Sequence, residues 1–363
     1  MLKRLRPTSW INNIPAYVPG TSKDTIMKRF GISDPIKLAS NENPLGPSPE
    51  AIKAIESSKR ITHLYPDPDA LDLRKAAAAF FGCTPEHIIA GNGSDEIIDF
   101  ACRAFIEPGD EVIIPETTFS YYRIASLACG AKAVMTDMKD HAIDIDDIEA
   151  HLSEKTKAVF IANPNNPTGT CLDSKQILLL ADRIPEHVLL VIDEAYAAFV
   201  RSQAFKSAVN LVHVHDNIVT IHTLSKSHGL AGLRVGFGIA GSSIMESLYR
   251  IKPPFNVNLL ALKAGQAALY DLDFLKQTLE TTWNGLDYLY AEATRLGLQF
   301  VPSQTNFVLI NIGTGAEKVY EELLKRGIIT RYMASYGLDD YIRVSIGLPS
   351  ENQAFIKHLE EIL

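Results

Sequence analysis

Short apolar runs alternate with amphipathic stretches through the middle of the chain, from about residue 70 to residue 260. Runs rich in Val and Ile, separated by stretches of helical periodicity, predict a mostly parallel sheet with helices on both faces. The predicted strands are residues 87–90, 111–114, 131–134, 158–161, 188–192, 218–222 and 235–239. The predicted helices of this region include residues 72–81, 95–104, 119–128 and 174–183. We therefore expect an α/β fold in which a seven-stranded sheet is sandwiched by helices.

The pattern changes towards both ends of the chain. The first 45 residues or so are rich in Pro and Gly and predict an arm over residues 1–45. After Pro253 and Pro254, a single long helical stretch is predicted over residues 257–296, followed by short strands and helices. We expect a large domain at residues 46–256 and a smaller α+β domain at residues 257–363, which the arm joins.

Composition narrows the class of protein. With 46% hydrophobic residues, 21% charged residues and a net charge of -8, the chain is typical of a globular protein and lacks the basic surface of a nucleic-acid-binding protein. No apolar run reaches the ~20 residues needed to span a bilayer, and no apolar segment follows the basic N terminus, so neither a membrane protein nor a signal peptide is expected. The four cysteines are scattered along the chain, which predicts reduced thiols in a cytoplasmic protein. His213 and His215 are close to each other in the sequence but have no third candidate ligand, so we expect no metal site.

Polar side chains follow three of the predicted strands. Asn166, Asp193 and Lys226 come shortly after the fourth, fifth and sixth strands. In an open α/β sheet the carboxyl ends of neighbouring parallel strands form the edge at which ligands bind. Taken singly, an aspartate here is typical of a turn and a lysine is typical of the surface. Lys226, however, lies among small and hydroxyl residues, which suits an amine that forms an imine and must spend part of a catalytic cycle uncharged.

Two further signals have ordinary alternatives. Gly93 and Ser94 lie between a predicted strand and a helix, where free backbone N–H groups bind a phosphate, although Ser94 could equally be a helix cap. Arg343 alternates with apolar neighbours, which by itself indicates a half-solvated strand.

The set Asn166, Asp193, Tyr196, Lys226 and Arg234 resembles the fold type I aminotransferases that depend on pyridoxal 5'-phosphate (PLP). The resemblance extends almost from end to end, and within that superfamily it is greatest for the histidinol-phosphate aminotransferase family. The segments that carry it are residues 16–20, 38–46, 65–67, 91–96, 327–331 and 342–344.

The resemblance implies a role for each cofactor-binding residue. Lys226 would form the imine bond with PLP and later move the substrate proton, and Asp193 would pair with the pyridine nitrogen. Asn166 and Tyr196 would hydrogen-bond the ring oxygen, and Phe119 would stack on the ring. The residues implied to hold the cofactor phosphate are Gly93, Ser94, Thr223, Ser225 and Arg234.

It also implies how substrates bind. Arg343 would clamp the substrate α-carboxylate, and Arg331 and Tyr17 would meet a substrate phosphate. Asn43 is a further expected substrate-binding residue. A homodimer is implied because Tyr65 would reach the site of the partner subunit. The implied reaction is amino transfer between L-histidinol phosphate and 2-oxoglutarate, which yields imidazole acetol phosphate and glutamate in histidine biosynthesis.

Three departures from the family pattern, and three other functions, remain open. Pro68 replaces a glycine near Tyr65, His228 stands where an aromatic residue is usual, and Ala16 replaces a proline. We expect His228 to be a packing substitution, because Lys226 already supplies the base.

The same scaffold suits an aromatic amino-acid aminotransferase or a threonine-phosphate decarboxylase. A PLP-binding transcription regulator would need a DNA-binding domain. The sequence shows no basic helix-turn-helix motif of the kind that such a domain uses.

Overall fold

The structure, a computed structural model, describes residues 5–14 and 20–363. Its strands are, in chain order, β1 (Ile36–Lys37), β2 (Ile88–Gly91), β3 (Glu111–Pro115), β4 (Lys132–Thr136), β5 (Met138–Lys139), β6 (Ala142–Ile143), β7 (Thr156–Ala162), β8 (Leu189–Asp193), β9 (Ile218–Thr223), β10 (Gly236–Ala240), β11 (Gln299–Val301), β12 (Phe307–Asn311), β13 (Ile328–Ile329), β14 (Arg331–Tyr332) and β15 (Tyr341–Ser345). Its α-helices are α1 (Lys23–Phe30), α2 (Pro49–Ser58), α3 (Leu71–Phe81), α4 (Ser94–Phe105), α5 (Tyr121–Ala128), α6 (Ile145–Ala150), α7 (Ser174–Arg183), α8 (Ser242–Ile251), α9 (Leu259–Tyr270), α10 (Leu272–Arg295), α11 (Ala316–Lys325) and α12 (Pro349–Ile362).

A seven-stranded sheet has the strand order β2-β10-β9-β8-β7-β3-β4. Strand β10 is antiparallel to both of its neighbours, and the remaining pairs are parallel. All seven strands predicted from the sequence belong to this sheet, so the prediction of a mostly parallel seven-stranded sheet is confirmed.

Burial on both faces explains why these strands are continuous apolar runs. In β8, Leu190 and Ile192 pack into one core cluster, whereas Leu189 and Val191 pack into another. Successive side chains of a strand point to opposite faces, so a strand covered on both sides must be apolar at every position. The polar Asp193 appears only where β8 ends.

A smaller antiparallel sheet with the order β11-β12-β15-β14 lies in the C-terminal part of the chain. Strand β1, in the N-terminal segment, pairs in parallel with β13, so this segment joins the C-terminal part of the chain. These features confirm a smaller α+β unit, while the division at residues 45 and 256 stays a prediction.

The single helical stretch predicted over residues 257–296 is wrong, because the structure has two helices that meet at Asp271. The Asp271 carboxylate accepts a hydrogen bond from the backbone N–H of Phe274 at 3.2 Å and from the Ser48 hydroxyl at 2.6 Å. A side chain that caps the N–H groups of a first turn starts a new helix. Over the described residues, the helices are all too short or too polar to cross a membrane.

Candidate active site

A cavity of about 230 Å³ lies at the carboxyl edge of the large sheet. Strand β8 ends at Asp193, and Ala162 at the end of β7 is its register partner. Thr223 ends β9, the neighbour of β8 on the other side. The parallel arrangement therefore brings polar side chains from separate segments into one cavity, as the sequence predicted. The predicted residues that line it are Ser94, Phe119, Asn166, Asp193, Tyr196, Thr223, Ser225, Lys226, Arg234, Arg331 and Arg343.

Lys226 projects into this cavity from the loop after β9. Its Nζ donates to the backbone carbonyl of Ser40 at 3.2 Å and lies 5.9 Å from the centre of the Tyr196 ring. Burial, and to a smaller extent the nearby Arg343 guanidinium, lower the pKa of Lys226 to about 8. The uncharged amine, which is the state that attacks a carbonyl, is therefore far more populated near neutral pH than in an ordinary lysine.

Asp193 is a buried carboxylate that also lines the cavity. One of its oxygens accepts from the Tyr122 hydroxyl at 2.7 Å, and the other accepts from the backbone N–H of Ala195 at 2.9 Å. Burial raises the pKa of Asp193 to about 6 in spite of these two hydrogen bonds, which lower it. A cation placed beside this carboxylate would stabilise its charged form.

A group of donors surrounds the start of helix α4. Arg234 donates to Asp95 at 3.1 Å, and the Thr223 and Ser225 hydroxyl oxygens are 2.9 Å apart. Gly93 has a φ of +83°, and a Cβ there would come within 2.5 Å of the Arg234 guanidinium. Only glycine fits this turn, which leaves the helix N-terminus and the guanidinium facing the same space.

Two arginines of the smaller sheet also line the cavity. Arg343 is only 7% exposed, which excludes the half-solvated strand that its local pattern alone indicates. It donates to Asn166 Oδ1 and, at 2.8 Å, to the carbonyl of Ala39. Arg331 is its direct register partner on β14. Residues that face each other across an antiparallel pair point to the same face, so both cations border the cavity.

Two further predicted residues, Asn43 and Tyr65, lie outside the cavity. The Asn43 amide donates to the Ser227 carbonyl at 3.1 Å and to the Thr278 hydroxyl at 3.0 Å, outside this cavity. Tyr65 is 82% exposed and stacks on Phe255 with ring centres 4.7 Å apart. Tyr17 lies outside the described residues, and the roles of all three stay predictions.

His228 is buried next to the site without lining it. Its Nδ1 is 3.0 Å from the Ser227 hydroxyl oxygen and its ring meets the Phe80 ring edge to face. Burial lowers the pKa of His228 to about 4, so the ring is neutral at physiological pH. This placement agrees with the packing substitution expected from the sequence.

The cavity-lining residues that sequence reasoning did not assign to the site include Tyr122, Asn41 and Tyr336. The Tyr122 hydroxyl donates a hydrogen bond to Asp193. The sequence signal that could have indicated Tyr122 is its position three residues after Phe119, at the start of a helix. Asn41 donates to the Tyr196 hydroxyl at 2.9 Å, and Tyr336 borders the cavity with Arg331. Asn41 lies within residues 38–46, one of the segments that carry the resemblance, but its pairing with Tyr196 had no local signal because the two residues are far apart in the chain. Tyr336 had no signal in the sequence.

This combination of a half-buried lysine, a buried carboxylate and an anion-binding helix start at one sheet edge is that of a PLP-dependent transferase. The sequence model for the family "Aminotransferase class I and II" matches residues 33–359. The chain belongs to the class I and II aminotransferase family, and its expected cofactor, PLP, is confirmed.

Similar proteins include several histidinol-phosphate aminotransferases. The one from Moorella thermoacetica is 39% identical over 354 residues, covering 97% of this chain and 92% of its own. The one from Desulfotalea psychrophila is 42% identical over 356 residues, covering 97% and 94%. The crystal structure of histidinol-phosphate aminotransferase from Sinorhizobium meliloti in complex with pyridoxal-5'-phosphate has a TM-score of 0.91 at 26% identity, over 99% of this chain and 98% of that chain. The resemblance inferred from the sequence is therefore confirmed.

The residues present fit PLP. The Gly93 turn leaves the N–H groups of α4 and the Arg234 guanidinium available for a phosphate dianion. Asp193, whose charged form burial disfavours, suits a protonated pyridine nitrogen. Lys226 suits the cofactor aldehyde because its lowered pKa leaves more of its amine uncharged near neutral pH than in an ordinary lysine.

Proposed function

We propose that the protein transfers an amino group between L-histidinol phosphate and 2-oxoglutarate, a step of histidine biosynthesis. The observation that carries this proposal is the register pair of Arg331 and Arg343, two cations side by side at the cavity that holds Lys226. A substrate with one carboxylate needs only one of them, whereas a dianion or a dicarboxylate uses both.

The chemistry of the two substrates refines the roles inferred from the resemblance. Histidinol phosphate carries its phosphate ester where an amino acid carries the α-carboxylate. Arg343 therefore meets the α-carboxylate of glutamate, while both Arg331 and Arg343 lie at the phosphate of histidinol phosphate. Two guanidinium groups match the charge of about −2 on a phosphate monoester.

Each side chain has a task that its surroundings explain. When bound, PLP holds the substrate amino group and takes up the electrons released as the substrate carbon loses its proton. Lys226 moves that proton, which its lowered pKa permits near neutral pH. Asp193 would keep the pyridine nitrogen protonated, Asn166 and Tyr196 would bind the ring oxygen, and Phe119 would cover the ring face.

The proposal includes a homodimer in the cytoplasm, with Tyr65 of each subunit acting at the other subunit's site. The exposed Tyr65 lies beside the exposed Leu64, Ile61 and Phe255, an apolar patch suited to a second copy of the chain. All four cysteines are free thiols, as is usual in a reducing compartment.

An aromatic amino-acid aminotransferase is the second candidate, because Phe119 and Tyr336 place aromatic rings along the cavity. A panel of half-reactions separates the two. The protein loaded with PLP is mixed in turn with histidinol phosphate, glutamate, phenylalanine, tyrosine and threonine phosphate, while the absorbance of the bound cofactor is followed. We expect fast changes with histidinol phosphate and glutamate only. A faster change with phenylalanine would favour the aromatic enzyme, and release of CO₂ from threonine phosphate would favour a decarboxylase.

A further inference from the structure

Three consecutive residues between β1 and α2 each hold a different side chain of the site. The carbonyl of Ala39 accepts from Arg343 at 2.8 Å, and the carbonyl of Ser40 accepts from Lys226 at 3.2 Å. Asn41 contributes its side chain instead, since its Nδ2 donates to the Tyr196 hydroxyl oxygen at 2.9 Å. Asn41 is 2% exposed and Tyr196 is 5% exposed, so water has little access to the contact between them.

The hydrogen bonds around Asn41 have a fixed direction. Its backbone N–H donates to Ser345 Oγ at 2.8 Å, so the serine oxygen is an acceptor there. The serine uses its own hydrogen to donate to Asn41 Oδ1 at 2.9 Å. With Oδ1 engaged as an acceptor, the NH₂ end of the amide faces Tyr196. An amide nitrogen can only donate, so the phenol oxygen accepts and keeps its hydrogen for another partner.

The backbone of Asn41 is held as firmly as its side chain. Its φ is +55°, in the left-handed region that asparagine tolerates better than most residues. The Asn306 amide donates to the Asn41 carbonyl at 3.0 Å. The amide that faces Tyr196 is therefore fixed by β15, by the segment before β12 and by its own backbone. Burial raises the pKa of Tyr196, so the phenol keeps its proton.

We propose that Asn41 is a positioning residue that holds Tyr196 as a hydrogen-bond donor towards the ring oxygen of bound PLP. The inference rests on the proposed function, because it assumes that this oxygen lies beside Tyr196. A donor at this point stabilises negative charge on the ring oxygen and so lowers the pH at which the absorbance of the bound cofactor titrates. The amide supplies no atom to the reaction and acts only through the phenol.

The variant Asn41→Asp tests this direction with almost no change in shape. A carboxylate only accepts, so Tyr196 must turn its hydrogen to residue 41 and the ring oxygen loses its donor. We expect the pH midpoint of the cofactor absorbance to rise by about one unit, with PLP still bound to Lys226. Asn41→Gly removes the amide without adding charge and accommodates the positive φ, and should raise the midpoint by less.

The same change in a Tyr196→Phe background separates hydrogen-bond direction from added charge. If Asn41 acts through the phenol, Asn41→Asp adds little to the midpoint once the hydroxyl is absent. Ser345→Ala is the milder variant for use if residue 41 does not tolerate change, and should also raise the midpoint because the amide is then free to turn over.

The outcomes of these experiments either support or overturn the role proposed for Asn41. Unchanged midpoints in loaded Asn41→Asp, Asn41→Gly and Ser345→Ala proteins would overturn the inference alone, as would an equal shift with and without the Tyr196 hydroxyl. A wild-type protein that does not bind PLP at Lys226 would overturn the proposed function and this inference with it.

Discussion

Arg331 and Arg343 stand directly opposite each other on the antiparallel strands β14 and β15, and both border the cavity that contains Lys226. Like charges at such a pair repel, so the arrangement is stable only with anions or acceptors nearby. The Asn166 side-chain oxygen and the Ala39 carbonyl are such acceptors, since both accept hydrogen bonds from Arg343. The pair is suited to an anion that carries more than one charge.

Replacement of the two arginines should therefore have different consequences for different substrates. Loss of a charge-assisted contact costs about 1.5–3 kcal/mol, or roughly 10- to 150-fold in kcat/KM. We expect Arg331→Ala to lose that much with histidinol phosphate and almost nothing with phenylalanine. Arg343→Ala should damage both substrates and glutamate. Steady-state kinetics of each variant with each amino donor measure the effect.

Arg331→Lys is the matched control, because it keeps the charge without the two-pronged geometry, and it should recover part of the loss. Equal losses for phenylalanine and histidinol phosphate in Arg331→Ala would contradict the assignment of Arg331 to the phosphate.

Asp193→Asn should make the PLP-free protein more stable and the loaded enzyme slower. Because burial raises the pKa of Asp193 from 3.8 to about 6, its charged form destabilises the PLP-free fold once the pH exceeds that range. Stability contributed by the protonated carboxyl is lost as the pH rises through about 4 to 6, so at pH 7.5 the neutral variant should gain about 1–3 kcal/mol. Amino transfer should fall on the order of 100-fold or more. Urea unfolding of the PLP-free protein and single-turnover rates give the two values.

Glu194→Gln is the control for Asp193, because Glu194 is a neighbouring buried carboxylate that does not line the cavity. Its half-reaction rates should stay within a few-fold of wild type. Wild-type rates in Asp193→Asn would show that the carboxylate has no part in the chemistry.

The reactivity of Lys226 should follow its lowered pKa. In the PLP-free protein, acetic anhydride labels only the uncharged amine, so the labelling rate of Lys226 should rise with pH around a midpoint near 8. Arg343→Ala should move that midpoint upward, because it removes a cation that disfavours protonation. Peptide mass spectrometry at a series of pH values measures both. A wild-type midpoint close to 10.5 would mean that the amine is not perturbed.

Tyr65 can be tested by mixing two inactive subunits. Co-expression of Tyr65→Ala and Lys226→Ala chains gives hybrid dimers in which one site has both residues intact, if Tyr65 acts across the interface. Random pairing then restores about a quarter of wild-type activity. If Tyr65 acts within its own subunit, every site lacks one of the two residues and activity stays at the level of the parent variants.

Local patterning predicts the large sheet well, and for a physical reason. Strands buried on both faces must be apolar throughout, so each stands out from the amphipathic helices beside it. The polar Asp193, which ends β8, was found for the same reason, whereas Thr223 at the end of β9 was indicated only by the resemblance. The break at Asp271 was missed because a single capping side chain interrupts an otherwise continuous helical pattern.

Contacts between distant segments account for what the sequence did not predict. Asn41 donates a hydrogen bond to Tyr196, which is 155 residues away in the sequence. The orientation of its amide depends on Ser345, which lies still farther along the chain. Likewise, the burial of Arg343 is set by the segment around Ala39 rather than by the alternation of its own strand. The resemblance to known aminotransferases, not the local pattern, indicated that this arginine belongs to the site.

The most direct test of the whole account is the location of the covalent bond to PLP. The loaded protein is reduced with borohydride, digested and mapped by mass spectrometry, and Lys226→Ala is treated in parallel. We expect the reduced cofactor on Lys226 and a loss of at least ~10²–10⁴ in amino transfer in the variant, which lacks the base. Reduced cofactor on any other lysine, or full activity in Lys226→Ala, would contradict the assignment of this cavity as the active site.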